Sequence, residues 1–371
     1  MKDSKLYAYY FPNWHVDEKN EKWHGPGWTE WRVAQYATPR FEGHDQPKIP
    51  LWGYEDESDP GIMAKKIAAA KKSGIDGFIF DWYWHTDGPY RKKCLENGFL
   101  KAENNRDFEF AVMWCNHTAG QLHPTALTPI GVPTAHSTAT RELFFEITQY
   151  CIDNYFGCDN YIKLNGKPYF SLYLPISFVN QLGETEAKAA MDDFRERTVK
   201  AGFAGLHLNI CSTWWEKPNG MSIDERNALI DLLGADSVSK YNWDFDQKPL
   251  TVDWADALEL SKKTYIEDCA VKVPVIPTVV NGWDPSPRTV QSEVYTVGKY
   301  PFTPIGINAT PELLERSLRE FYELMKKNGT NMMTITSWNE WTEGNYLEPD
   351  TTYGYGMQDA VGRFTDYISK K

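Results

Sequence analysis

Eight short, almost continuously apolar runs recur along this 371-residue chain, and most are followed by a stretch with helical spacing. Runs of that kind are buried on both faces, which suits parallel strands covered by helices. The strands are expected at Leu6–Phe11, Gly77–Tyr83, Phe108–Cys115, Tyr169–Leu174, Leu206–Cys211, Ser237–Tyr241, Val273–Val280 and Met332–Ser337. Asp59 as N-cap, Pro60 in the first turn and Gly74 as stop predict a helix to Ser73. Further helices are expected over Glu142–Tyr155, Glu184–Ala201, Trp254–Cys269, Thr310–Lys327 and Asp359–Ser369. The alternation predicts an α/β fold, a (β/α)8 barrel with long loops after strands 1, 3 and 7 and residues 1–371 as one domain. A doubly wound open sheet is the alternative. It needs a phosphate turn at a switch point, and no G-x-G-x-x-G or Walker sequence is present.

The last of these runs leads into Ser337–Trp338–Asn339–Glu340–Trp341–Thr342–Glu343–Gly344. Two carboxylates stand three positions apart among tryptophans, where the strand should stop. In a barrel, functional side chains gather at the carboxyl ends of strands. Those ends are polar and aromatic here: Trp14; Asp81, Tyr83 and Trp84; Trp114, Asn116 and His117; Tyr173; Trp214; Tyr241 and Trp243; Trp283 and Asp284; then Trp338, Asn339, Glu340, Trp341 and Glu343. The amino ends carry mainly Gly, Pro and Lys. Aromatic rings stack on sugar rings and polar groups bond hydroxyls, so the asymmetry points to an enzyme or a sugar-binding cleft.

Glycosidic cleavage needs one protonated acid at the leaving oxygen and a second carboxylate assisting at the sugar. Glu340, as the last strand residue, and Glu343, on the following turn, are the candidate pair. Two like charges among desolvating aromatics push one pKa upward. Asp81, an ionisable residue in an apolar strand, either faces the site or is paired. Trp28 and Glu30 lie in the first long loop; Glu30 either lines the cleft or pairs with Arg32 or Arg40. Arg288 either contacts substrate or pairs with Asp284 to pin its loop, and Glu348 reads as a loop-bracing acid.

The formal net charge of −12 argues against nucleic acid or an anionic membrane as partner. No apolar run approaches a membrane span, and the polar start shows no signal-peptide core, so a cytoplasmic location is expected for the chain as given, or a periplasmic or secreted one if it was trimmed. The eight histidines are scattered without an H-x-x-x-H pair, so no metal and no cofactor are expected. The six cysteines have no C-x-x-C spacing; Cys151 and Cys158 are within bridging reach in sequence, but free thiols are expected.

Trp23–His24–Gly25–Pro26–Gly27–Trp28–Thr29–Glu30–Trp31 and Gly43–His44–Asp45–Gln46–Pro47 resemble the first loop of WbsX-like proteins. So do Gly74–Ile75–Asp76–Gly77–Phe78, Gly282–Trp283–Asp284 with Pro287–Arg288, and Trp338–Asn339–Glu340–Trp341 with Glu343–Gly344 and Leu347–Glu348–Pro349. The resemblance spans nearly the whole chain and extends to the glycoside hydrolase family 99 fold group, whose catalytic domain is a (β/α)8 barrel. It implies a retaining, endo-α-mannosidase-like hydrolase acting on an oligo- or polysaccharide. Glu340 would match the residue assisting attack by the sugar's own 2-hydroxyl through a 1,2-anhydro intermediate, and Glu343 the acid/base at the leaving oxygen. WbsX-like members are also described as glycosyltransferases of surface-polysaccharide synthesis. That is the first alternative, and a non-catalytic sugar-binding protein is the second. The chain departs from the pattern after strand three, where Trp114–Cys115–Asn116–His117–Thr118 replaces Ala-Asn-Glu-Asn-Trp and lacks its acid. Asp81 also stands where an aromatic is more usual.

Overall fold

Each of the eight apolar runs supplies a strand to one parallel sheet in the computed structural model, which describes residues 4–118, 137–217 and 220–371. The strands are β1 (Lys5–Tyr10), β2 (Gly77–His85), β3 (Glu109–Trp114), β4 (Lys167–Leu172), β5 (His207–Cys211), β6 (Ser237–Ser239), β7 and β8 (Met332–Thr336). The expected continuous strand seven is instead two pieces, Val275–Ile276 and Thr278–Val280, divided at Pro277. Proline has no N–H to give a ladder. The first piece pairs with β6 and the second with β8, so this broken strand closes the sheet into a barrel. The Pro277 carbonyl still accepts from the Thr334 N–H at 3.0 Å.

Helices cover the outside: α1 (Pro60–Lys72), α2 (Arg141–Cys151), α3 (Pro175–Leu182), α4 (Glu184–Lys200), α5 (Ile223–Leu233), α6 (Trp254–Asp268), α7 (Pro311–Lys327) and α8 (Gly356–Ser369). Asp59 caps α1 as expected, its carboxylate accepting from the Gly61 and Ile62 N–H groups. Helix α5 is unanticipated, although Ser222 and Glu225 form a capping box that was visible in sequence. Pro175 does not merely stop a strand; it opens α3 in the first turn. The first long loop contains two short helices, Glu18–His24 and Trp31–Gln35. Much of the insertion after β3 falls on 119–136, outside the described residues, as do His123 and His136. All six cysteines are free. Among the described residues, no helix is long and apolar enough to cross a membrane.

The barrel interior is polar. Ser171 and Ser239 hydroxyls reach Asn209 Oδ1 at 2.8 and 2.9 Å, Thr278 and Thr334 hydroxyls lie 2.7 Å apart, and the Tyr9 hydroxyl lies 3.3 Å from Ser239. These groups satisfy one another, so burial costs them little. The apolar core lies between sheet and helices, where Met63, Ile67 and Ala70 of α1 and Leu314, Leu318, Phe321 and Met325 of α7 are buried.

Candidate active site

Strand β8 stops at Thr336, and the Thr336–Ser337 peptide is cis. Glu340 is therefore not the last strand residue of the barrel. It belongs to a small hairpin beyond it, in which Asn339–Glu340 pairs antiparallel with Asn345–Tyr346 around the 3-10 turn Trp341–Glu343. Ser337 ties this hairpin down: its hydroxyl donates to the Asn345 carbonyl at 2.6 Å and accepts from the Glu340 N–H at 2.8 Å. Gly344 turns the chain at φ +60, and a Cβ there would stand 2.7 Å from that of Asp284. Only glycine fits so close an approach, and through it the Asp284 N–H donates to the Glu343 carbonyl at 2.5 Å.

The two acids converge on one cation. Arg288 gives one terminal nitrogen to Glu343 and the other to Glu340. The second nitrogen also lies 3.0 Å from Glu30, a third acid brought in by the first loop. Thr342 donates to Glu30 at 2.6 Å, and Asn13 bonds its other oxygen. Glu30 therefore does not pair with Arg32 or Arg40; the Arg40 guanidinium is spent on Thr289 and on carbonyls at Val290, Gln291 and Glu293. Nor does Arg288 pair with Asp284. Asp284 lies 2.8 Å from His44 Nε2 and accepts from Gln46 at 2.6 Å, which pins loop seven to loop one. Those bonds hold its carboxyl below the usual range against the opposing effect of burial.

Burial pushes the Glu340 carboxyl well up; Arg288 opposes, while Glu343, Glu30 and Asp81 add to the rise. Burial alone would weaken the charge on Arg288, but Tyr300, Glu343, Glu30 and Glu340 together drive it well above its ordinary value. Tyr300 donates to Glu343 at 2.6 Å and lies 2.5 Å from Arg288. Tyr300 as a residue is 41 % exposed, whereas Glu30, Arg288, Glu340 and Glu343 are buried.

Several residues expected on a sugar are committed elsewhere. Trp338 is fully buried against Phe78, and Trp341 is buried with its ring stacked on Tyr346 at 3.7 Å. Asn339 bonds both the N–H and the carbonyl of Phe11, and Asn116 does the same for Leu174. Trp14 stacks on Trp31 at 4.1 Å, and Trp28 stacks on His24 at 3.9 Å. Trp243 packs outward on Trp254 and Phe321 and donates to the Thr278 carbonyl. Trp84, with Trp82, points outward to Tyr150, because alternate β2 residues face opposite sides. The other set faces in: Asp81 meets Tyr241, and Tyr83 meets His117, whose ring contacts Tyr173. Trp283 lies at the rim, 6.3 Å from Tyr300, and donates to Thr303.

Two members of the cluster have no distinctive sequence signal: Tyr300 and Arg91. Arg91, at φ 59 beyond a tight hairpin, lays its guanidinium over Phe11, Tyr83 and Tyr90 at 4.5–4.8 Å and 3.9 Å from Glu30.

A buried cation braces the hairpin from behind. Lys66 of α1 lies 2.5 Å from Glu57 and 2.6 Å from Glu348. Glu57 in turn accepts from Asn339, and Glu348 accepts from the Trp341 ring, as its reading as a brace requires. Lys66→Met strands two buried carboxylates and is expected to cost about 3 kcal/mol, measured by urea unfolding. An unchanged midpoint would show that the pair contributes nothing.

A family model described as glycosyltransferase WbsX matches residues 6–361. Two curated relatives, each described as uncharacterized protein WxcX, come from Xanthomonas campestris pv. campestris. The one from strain ATCC 33913 is 27 % identical over 370 residues, covering 96 % of this chain and 49 % of the relative. The one from strain B100 is 26 % identical with the same coverage. The chain thus spans about half the length of the curated relatives it matches. Among solved structures, the GH99 endo-alpha-mannosidase from Bacteroides thetaiotaomicron aligns over 100 % of this chain and 98 % of its own, with a TM-score of 0.60 and 16 % identity. A glycoside hydrolase-like protein aligns over 99 % and 94 %, with a TM-score of 0.58 and 13 % identity. At these identities the likeness speaks for the barrel fold.

Proposed function

The chain belongs to the WbsX glycosyltransferase family, and from that premise we propose that it is a glycoside hydrolase cleaving a complex glycan, with Glu340 and Glu343 as its working pair. The observation that carries this reading is the convergence of both carboxylates on Arg288 at the carboxyl end of the barrel. Separate basic partners would have made each a structural acid. A shared one holds the two carboxylates in one hydrogen-bonded site, where an acid and a base can act on the same sugar. In this reading residues 1–371 form one catalytic barrel domain.

The roles follow the resemblance to family 99. Glu340 takes the proton of the sugar's 2-hydroxyl as that oxygen attacks the anomeric carbon, and Glu343 protonates the leaving oxygen. Glu343 then takes a proton from the water that attacks the anomeric carbon, while Glu340 returns its proton to the 2-oxygen as the 1,2-anhydro ring opens, so the configuration is retained. Burial favours the proton on Glu340. The mechanism requires Glu340 ionised and Glu343 protonated when the glycan is bound. A buried carboxylate of raised pKa is also the stronger base toward a hydroxyl. Tyr300 and Arg288, both on Glu343, orient it toward the mouth.

The deciding experiment incubates the protein with bacterial, host and plant glycans and analyses products by mass spectrometry. A shortened glycan, released with retained anomeric configuration by NMR, is expected. The family description favours a second reading, transfer from a sugar nucleotide. Its one candidate D-x-D, Asp244–Phe245–Asp246, has Asp244 engaged by Lys240 and by Thr264 at 2.7 Å. Tight binding of a UDP- or GDP-sugar by calorimetry, with no glycan cleaved, would reverse the order of the two readings.

A further inference from the structure

The barrel mouth has a second wall that the acid pair does not use. Asp81 stands on the inward side of β2 and is 2 % exposed. Tyr241 donates its hydroxyl to Asp81 Oδ2 at 2.7 Å, while Oδ1 meets no partner among the described residues. The Tyr241 ring touches Tyr173, Tyr173 touches His117, and His117 touches Tyr83, each at 5.8 Å between centroids. His117 Nδ1 is likewise buried without a partner among the described residues. Each such polar atom costs about 1–3 kcal/mol when left unpaired. A ligand that supplies the missing bonds recovers that cost.

We propose that this wall is a specificity subsite that reads hydroxyl position on a neutral sugar, with Asp81 bonding one hydroxyl and His117 its neighbour. The inference rests on the glycan-directed reading above and adds the class of sugar to it. Its charge state supports it. Burial raises Asp81 to about 8; the Tyr241 hydrogen bond opposes, Glu343 adds to the rise, and Arg91 and Arg288 oppose. Burial lowers His117 to about 4, and Arg91 and Arg288 act in the same direction. The other titratable groups around Asp81, namely Glu340, Tyr9, Tyr83, Tyr173, Tyr241, Cys115 and Cys211, are all driven upward by burial. At neutral pH the wall is therefore uncharged. It can give the Asp81 proton to a hydroxyl oxygen while Oδ2 keeps the bond from Tyr241.

The test measures binding by NMR titration of the unmodified protein, with each probe shown intact by mass spectrometry afterwards, so turnover plays no part. The probes are methyl glycosides of mannose, glucose and galactose, their monodeoxy analogues, and methyl glucuronide. At pH 7, removal of one particular hydroxyl is expected to weaken binding about tenfold or more, the size of one lost hydrogen bond. D81A should abolish that difference. D81N should keep it, because its amide still donates. Above pH 8 the parent should lose the discrimination while D81N retains it. Binding of no neutral probe, preference for the glucuronide, or unchanged discrimination in D81A would each overturn the proposal. If D81A does not fold, the pH comparison between parent and D81N decides. Hydroxyl discrimination in a protein that cleaves no glycan would sink the hydrolase reading and leave this one standing.

Discussion

Glu343→Gln is expected to lower turnover of a natural glycan by at least about 10³-fold, with the fold intact by circular dichroism. General acid–base assistance contributes roughly 10²–10⁴ to a rate, and a poor sugar leaving group needs all of it. The glutamine keeps its contact with Arg288 as an acceptor but cannot hand over a proton. A dinitrophenyl glycoside of the sugar identified in the screen needs no proton at its leaving oxygen. On that substrate the first step of E343Q should recover to within about tenfold of the parent. Glu340→Gln removes the group that accepts the 2-hydroxyl proton, which is needed whatever leaves, so it should be slow on both substrates. Values of kcat/KM on the two substrates, which report the first step, separate the roles. The reverse pattern, with E340Q rescued and E343Q not, would exchange the assignments. Full activity in either variant would end the proposal for that residue.

Arg288→Met carries the largest expected cost to stability. Three buried acids, Glu30, Glu340 and Glu343, meet this one guanidinium. Removing one partner of a buried ion pair typically costs about 3–5 kcal/mol, and here three carboxylates lose it together. The pH dependence gives a second readout. Without the guanidinium, the burial that already holds the Glu340 carboxyl well above its unfolded value loses its main opponent and raises it further. A group raised in this way contributes stability that is complete below its unfolded pKa and is lost as pH rises through its folded pKa. The deficit of the variant should therefore be smallest near pH 4–5 and should grow toward pH 8. Urea unfolding followed by tryptophan fluorescence at both pH values measures it. A deficit independent of pH would mean that the loss comes from packing on Phe11, over which the guanidinium lies at 5.3 Å, and not from charge.

How much of this was legible depended on how local the signal was. The Asp59 cap and the buried runs were readable because each element is written in a dozen adjacent residues. Glu340 and Glu343 were readable as a pair because the strand before them set where they emerge. The tryptophans beside them were misread. Composition marks a strand end as aromatic, but the alternation of side chains decides which rings face the mouth, and it sends Trp84 to the helices. Trp338 and Asn339 looked like sugar ligands, yet a turn beyond the strand aims them into the core and onto Phe11.

The chain's own order of residues determined the barrel and the placing of Glu340 and Glu343 just beyond its last strand, since hydrophobic periodicity and capping act within a few residues of themselves. Which cation those acids share, that Glu30 joins them from 258 positions away from Arg288, and that one Asp81 oxygen has no partner among the described residues were decided only in three dimensions. Ion pairing and desolvation depend on distance through space, and the pairing of β8 with β1 on one side and with Thr278–Val280 on the other brings loops one, seven and eight together.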